Sequence, residues 1–282
     1  MTYLDKLKQA VEAAQSTLCV GLDPNLDMLP EAVTSEFKTP EEQVAYFCKR
    51  VIDVTLDSCA AYKPNLAFFE ALGEGGLFVL NEVMSYIPDD KIVIADAKRG
   101  DISSTAEHYK KAFFDVFKAD AVTLNPLMGF ETLNAFSNDP SKGLYVLTLT
   151  SNSGADDFLK KPFEGFDSMA EYIAHELFER SVRVESHLGM VIGATQAIEA
   201  NVVIRQHATG SLLIPGVGAQ GGDVDALAEA LKDHEGIPMI NSSRGIIYAG
   251  REEENWADHV AESARRTKEL ISKITEQYVA AS

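Results

Sequence analysis

Short apolar runs alternate with amphipathic stretches along the whole chain. The apolar runs are Thr17–Asp23, Ala60–Asn65, Lys91–Ala97, Ala119–Leu124, Gly143–Thr150, Leu188–Gly193, Ser211–Val217 and Pro238–Asn241. Each has the length of a strand and is nearly continuous in its apolarity, as expected of a parallel sheet buried on both faces. Between them, apolar residues recur at helical spacing over Pro40–Leu56, Phe68–Tyr86, Ser104–Phe117, Ser168–Glu185, Thr195–Gln206 and Asp223–Lys232. A last helix is predicted over Trp256–Tyr278. Helix-start signals agree: Asp223 stands as an N-cap, and Thr39-Pro40-Glu41-Glu42 places proline in a first turn. The opening MTYLDKLKQAVEAAQ is charged and amphipathic, which predicts an N-terminal helix and not a secretory signal.

Eight strands, each followed by a helix, predict one (β/α)8 TIM barrel domain over residues 1–282. A doubly wound open sheet is the competing fold. It would carry a Gly-rich fingerprint after its first strand, and GLDPNLD is not GxGxxG. Neither a low-complexity linker nor a strong repeat divides the chain. The longest irregular stretch is Ser151–Asp167, and a connection of that length on a barrel predicts a functional loop.

Composition narrows the partners. A hydrophobic fraction of 46% suffices for a sizeable core. No apolar run approaches the roughly 18 residues a membrane span needs. Cys19, Cys48 and Cys59 form no CxxC, so neither a disulfide scaffold nor a cysteine-rich zinc site is expected, and a reducing cytoplasm is. With 25 basic against 43 acidic residues the net charge is −18, which repels nucleic acid and anionic membranes. An anionic small ligand would meet the same field, so the site must gather its own cations.

On a (β/α)8 barrel, chemistry sits at the C-terminal ends of the strands. The first strand delivers Asp23 there, the second Lys63, and the third Asp96, Lys98 and, on the following turn, Asp101. The fourth delivers Asn125, and the fifth Ser151 and Asn152. Strand neighbours two apart share a face, so Asp96 and Lys98 can stand side by side. A structural ion pair would explain that couple alone. Five charged residues on three consecutive strand ends ask for more, because buried charge is costly unless paired or used. The seventh strand opens into PGVGAQGG, with Pro215 and Gln220, and the eighth into Ser242-Ser243-Arg244. Barrels often bind phosphate at these two loops, through backbone N–H groups and a guanidinium. A flexible surface loop would also account for PGVGAQGG by itself.

Other residues suggest no chemistry. His108, His175, His207, His234 and His259 fall in helical stretches and His187 precedes the sixth strand, so neither a histidine triad nor a histidine metal site is expected. Ser151 and Ser153 lack a nearby base and read as hydrogen-bonding groups. Phe113, Phe114 and Phe117 fit core or a subunit contact.

The segment Asp96-Ala97-Lys98-Arg99-Gly100-Asp101-Ile102 resembles the DxKxxDI signature of the orotidine 5′-phosphate decarboxylase family. Gly21-Leu22-Asp23, Lys63-Pro64-Asn65, Ser151, Pro215-Gly216-Val217-Gly218-Ala219-Gln220 and Arg244 follow in the family's order, from near residue 17 to near residue 250. KRGDI and NSSRGI are most similar to its longer bacterial branch. One departure is Ser243 before Arg244, where many members have glycine; the backbone N–H survives it.

The resemblance implies loss of CO2 from C6 of the pyrimidine of orotidine 5′-monophosphate, without metal or organic cofactor. It implies Lys98 as the proton donor and Asp96 beside the departing carboxylate, keeping Lys98 charged. Asp23 and Lys63 would bind the ribose hydroxyls, and Ser151 the pyrimidine. Pro215 belongs to the phosphate loop, where Gln220 and Arg244 would grip the phosphate. Asp101 and Thr105 would reach across a two-fold interface into the partner's site, making a cytoplasmic homodimer with shared active sites. Two other classes use the same residues differently. One is a different lyase, either with Asp96 and Asp101 as metal ligands or with Lys63 or Lys98 as a Schiff base. The other is a non-catalytic barrel that binds a phosphorylated ligand.

Overall fold

The structure, a computed structural model, describes residues 1–194, 197–216 and 224–279, and of residues 197–199 only the backbone. Eight strands are seen: β1 (Leu18–Leu22), β2 (Ala61–Pro64), β3 (Ile92–Arg99), β4 (Ala121–Leu124), β5 (Gly143–Leu149), β6 (His187–Ile192), β7 (Leu212–Pro215) and β8 (Pro238–Ser242). Each pairs in parallel with the next, and β8 pairs with β1, closing the barrel. The helices are α1 (Tyr3–Ala14), α2 (Glu31–Glu36), α3 (Pro40–Thr55), α4 (Leu66–Glu70), α5 (Gly76–Tyr86) and α6 (Ser103–Lys110). They continue with α7 (Met169–Ser181), α8 (Ala197–Gln206), α9 (Val224–Leu231), α10 (Arg244–Ile247), α11 (Trp256–Leu270) and α12 (Ser272–Thr275). The predicted (β/α)8 barrel is therefore observed.

The period of two explains how the barrel turns from apolar to charged along its axis. One row in each strand faces the interior. Its lower members, among them Cys19, Ala61, Ile92, Ile94, Ala121, Leu213 and Met239, cluster with Tyr3, Leu7 and Val11 of α1. Two residues further along the strands the same rows reach Gly21, Lys63, Asp96, Thr123 and Asn241, and Asp23 follows two beyond Gly21, just past β1. The alternate rows (Leu18, Val20, Tyr62, Val93, Ala95, Val122) pack outward against the helices. Helix α1 plugs the N-terminal end, its start fixed by a capping box between Thr2 and Asp5.

Local departures have local causes. The predicted helix 68–86 breaks into α4 and α5 at Gly73, whose φ is +75°. A Cβ on Gly76 would meet the Phe69 carbonyl oxygen at 1.8 Å, so only glycine lets the two segments join. Helix α6 widens into a π-turn over Lys111–Val116, and the predicted final helix interrupts at Ile271. The expected N-cap Thr39 and proline turn open α3, with Glu42 completing a capping box. Asp223 lies outside the described residues, as does the start of the helix predicted from Thr195. Stretch 151–167 has structure of its own: a 3-10 turn over Ser153–Asp157 and a tight hairpin at Phe163–Phe166. Glu164 and Gly165 both have positive φ there, and both phenylalanines pack on Tyr172. The three cysteines are buried and free, and among the described residues no helix is long and apolar enough to cross a membrane.

The histidines His187, His207 and His234 gather at the N-terminal end, away from the charged rim. His187 begins β6 and shares a hydrogen bond with Ser211 at 2.8 Å. His234 is 6% exposed and donates through Nε2 to the Gly210 carbonyl at 2.9 Å. Burial lowers its pKa to about 4. Since the unfolded value is about 6.5, the unfolded chain takes up a proton first as pH falls through that window. The expected result is that this group removes roughly 3 kcal/mol of stability between pH 6.5 and 4. Urea unfolding across that range should show a shallower decline for His234→Gln; equal slopes would exclude His234 as the cause.

Candidate active site

The centre of the site is Asp96, near the end of β3. Its Oδ2 accepts from Lys63 Nζ at 2.7 Å, and its Oδ1 accepts from Lys98 Nζ. Lys63 Nζ also stands 3.9 Å from Asp23 Oδ1. The order Asp23–Lys63–Asp96–Lys98 thus runs across the mouth of the barrel with alternating charge. Burial alone would raise the Asp96 carboxyl, but the two ammonium groups outweigh it and hold it far below the usual carboxylate range. Burial alone would lower Lys63, but Asp96 and Asp23 outweigh it and keep the ammonium protonated well above its usual range.

A cavity of about 210 Å³ opens over this chain. Asp23, Lys63, Asn65 and Asp96 from the first three strands line it together with Pro215, Gly216, Asn241, Ser242, Ser243 and Arg244 from the last two. Asp23 Oδ1 is buried and accepts no hydrogen bond, leaving an anionic acceptor ready for a hydroxyl donor. The loop carrying Asp23 is pinned by Tyr248, whose hydroxyl donates to the Asp23 carbonyl and accepts from the Asn25 N–H, each at 2.6 Å. Arg244 opens the short helix α10, and Gly216 has φ +100°. Gly21 makes room for Ser243: a Cβ there would lie 1.8 Å from Ser243 Oγ. The serine that departs from the usual glycine is thus accommodated by the glycine opposite.

The structure therefore brings together Asp23, Lys63, Asp96, Pro215 and Arg244 around the cavity; Lys98 is bound to Asp96 but lies outside the lining. Lys98 is not buried as a charge relay would be; its side chain is 51% exposed. Ser151 sits on the turn after β5 against Gly193 at the end of β6, outside the cavity lining. Asp101 also lies off the lining; one carboxylate oxygen accepts the Ile102 N–H at 2.8 Å. Thr105 is exposed on α6. Gln220 lies outside the described residues. Asn65 and Asn241, quoted from the sequence only as members of motifs and given no role, join the lining. Each stands two residues from one already remarked on (Lys63 and Ser243), so the period of two could have assigned both to the site. Among the described residues no cluster of three or more His, Cys, Asp or Glu side chains could hold a metal ion.

Comparison with known proteins agrees with this geometry. The family described as orotidine 5′-phosphate decarboxylase / HUMPS matches residues 16–258. The orotidine 5′-phosphate decarboxylase of Dehalococcoides mccartyi (strain CBDB1) is 37% identical over 281 residues, covering 99% of this chain and all of that one. The same-named protein of Parabacteroides distasonis is 39% identical over 254 residues, 88% of each chain. Among solved structures, Leishmania donovani OMP decarboxylase superposes with a TM-score of 0.82 at 32% identity, over 98% of this chain and 100% of that one. The charged rim, the barrel that builds it and these relatives together place the chain in the orotidine 5′-phosphate decarboxylase / HUMPS family.

Proposed function

We propose that the protein decarboxylates orotidine 5′-monophosphate to uridine 5′-monophosphate, the last step of de novo pyrimidine nucleotide synthesis, without metal or organic cofactor. The observation that carries this reading is a cavity lined by Lys63, Asp96 and Arg244, with Lys98 held on Asp96 just outside the lining. Relatives named for this activity match nearly the whole chain.

In this reading the C6–carboxylate bond breaks, CO2 leaves, and the electron pair stays on C6. Lys98 then transfers an ammonium proton to C6 and is recharged from solvent. Its positive charge also stabilises the carbanion as it forms. Asp96 keeps Lys98 charged and lies beside the departing carboxylate. Asp23 Oδ1, which accepts no hydrogen bond, and Lys63 take the ribose hydroxyls, and Ser151 the pyrimidine. Arg244 binds the phosphate, with Gln220 and the loop entered at Pro215. Phosphate binding far from C6 can then be converted into transition-state stabilisation.

Asp101 and Thr105 complete the partner's site in a homodimer. Apolar side chains are exposed at Ile102 (40%), next to Asp101, and at Leu127 and Met128 (above half) on the loop after β4, whose Asn125 lies against Gly100; they fit a surface that a second copy covers. The whole chain acts as one barrel domain in the cytoplasm, with no nucleic-acid or membrane partner.

Two alternatives fit the geometry less well. Both Asp96 oxygens are held by ammonium groups, so the carboxylate is poorly placed to ligate a divalent metal. Lys63 is kept protonated, so it is a poor Schiff-base nucleophile. Purified protein treated exhaustively with a chelator is expected to consume orotidine 5′-monophosphate at its full rate, followed by absorbance. No consumption would refute the activity; a loss restored by added divalent metal would refute the cofactor-free reading.

A further inference from the structure

We propose that Thr123, in β4, is the positioning residue that sets Lys98 against Asp96; this rests on the decarboxylase reading above. Between the pairs Ala95↔Val122 and Arg99↔Leu124, β3 carries three residues and β4 only one. The three are Asp96, Ala97 and Lys98; the one is Thr123. Such a bulge leaves backbone donors without ladder partners. The Thr123 hydroxyl takes them: it accepts the Ala97 N–H at 3.0 Å and the Lys98 N–H at 2.9 Å.

A hydroxyl has one proton and two acceptor positions. Both acceptor positions are filled by groups that can only donate, so the proton has one remaining direction. There it meets Asp96 Oδ1 at 3.1 Å, the same oxygen that holds Lys98 Nζ. Thr123 is 1% exposed, so water does not compete for these bonds. Lys98 has φ +49°, a left-handed conformation uncommon for a side-chain-bearing residue. The bond to its N–H holds that turn, which folds the lysine back toward Asp96. One buried hydroxyl thus fixes the backbone under the proton donor and the orientation of the carboxylate that charges it. Thr123 does not line the cavity, and its hydroxyl is fully committed to the three bonds above.

The test compares Thr123→Val, nearly isosteric but without the hydroxyl, with Thr123→Ser, which keeps it. Thr123→Val is expected to lower kcat about 100-fold, the scale of a misplaced reacting group, with the Kd for uridine 5′-monophosphate changed less than about threefold. Thr123→Ser should return kcat to within about fivefold of the parent. Thr123→Ala makes the same comparison should the valine variant not fold. Parental kcat in the hydroxyl-less variant, parallel losses in kcat and product binding, or a serine variant as impaired as the valine one would each overturn the proposal. The parent enzyme is assayed alongside: if it leaves orotidine 5′-monophosphate untouched, the decarboxylase reading falls and takes this one with it. An active parent beside an unaffected Thr123→Val isolates the failure to Thr123.

Discussion

Lys98→Ala should reduce turnover of orotidine 5′-monophosphate by about 10⁴-fold or more while leaving the fold intact. Two effects combine in that figure. A positioned general acid is worth roughly 10²–10⁴, and a charge aimed at a developing anion adds a comparable amount. The fold should survive because the Lys98 side chain is half exposed, and Asp96 keeps Lys63 and Thr123 as partners after its removal. Single-turnover kinetics with circular dichroism on the same sample read both halves of the expectation. A rate within tenfold of the parent would remove Lys98 from the mechanism.

The same variant also tests whether Asp101 completes the site of a second copy. Mixed with an Asp101→Ala protein under conditions of subunit exchange, half the dimers become hybrids. In each hybrid one site carries both lesions and the other neither, so about a quarter of the parental activity should return. No recovery despite exchange confirmed by mass would mean that each chain completes its own site.

The extent to which the chain could be read without coordinates follows from how local each cause is. Strand length, apolarity and helix spacing act over a few residues, so all eight strands and the α3 cap were legible. The charged rim was legible too, because strand ends and a period of two fix which residues share a face. The route by which Asp96 and Lys98 meet was not. Regular strand geometry predicts the pairing, but the chain achieves it through a bulge, a left-handed Lys98 and a hydroxyl from the neighbouring strand. The signal for Thr123 depends on the register between β3 and β4, which no local pattern encodes. The break at Gly73–Gly76 was likewise missed, because its cause is the approach of the Phe69 carbonyl.

Asp96→Asn should cost both activity and stability, and the stability loss has a definite shape against pH. Lys63 is 4% exposed, and without Asp96 its nearest carboxylate is Asp23 at 3.9 Å. Removing one partner of a buried pair leaves an uncompensated charge, at about 3–5 kcal/mol. Asp96 has a folded pKa below its unfolded value, so its contribution is present above about pH 4 and fades as pH falls toward the folded value. Lys63 has a folded pKa above its unfolded value, so its contribution is present below about pH 10 and fades as pH rises through the folded value. The gap between parent and variant should therefore be widest in the neutral range and narrow at both extremes. Urea unfolding at about pH 2.5, 7.5 and 11.5 traces that shape. A variant as stable as the parent at pH 7.5 would mean that desolvation of the pair cancels its attraction. The charges at the barrel mouth would then be held in place by the rest of the fold, at the expense of stability.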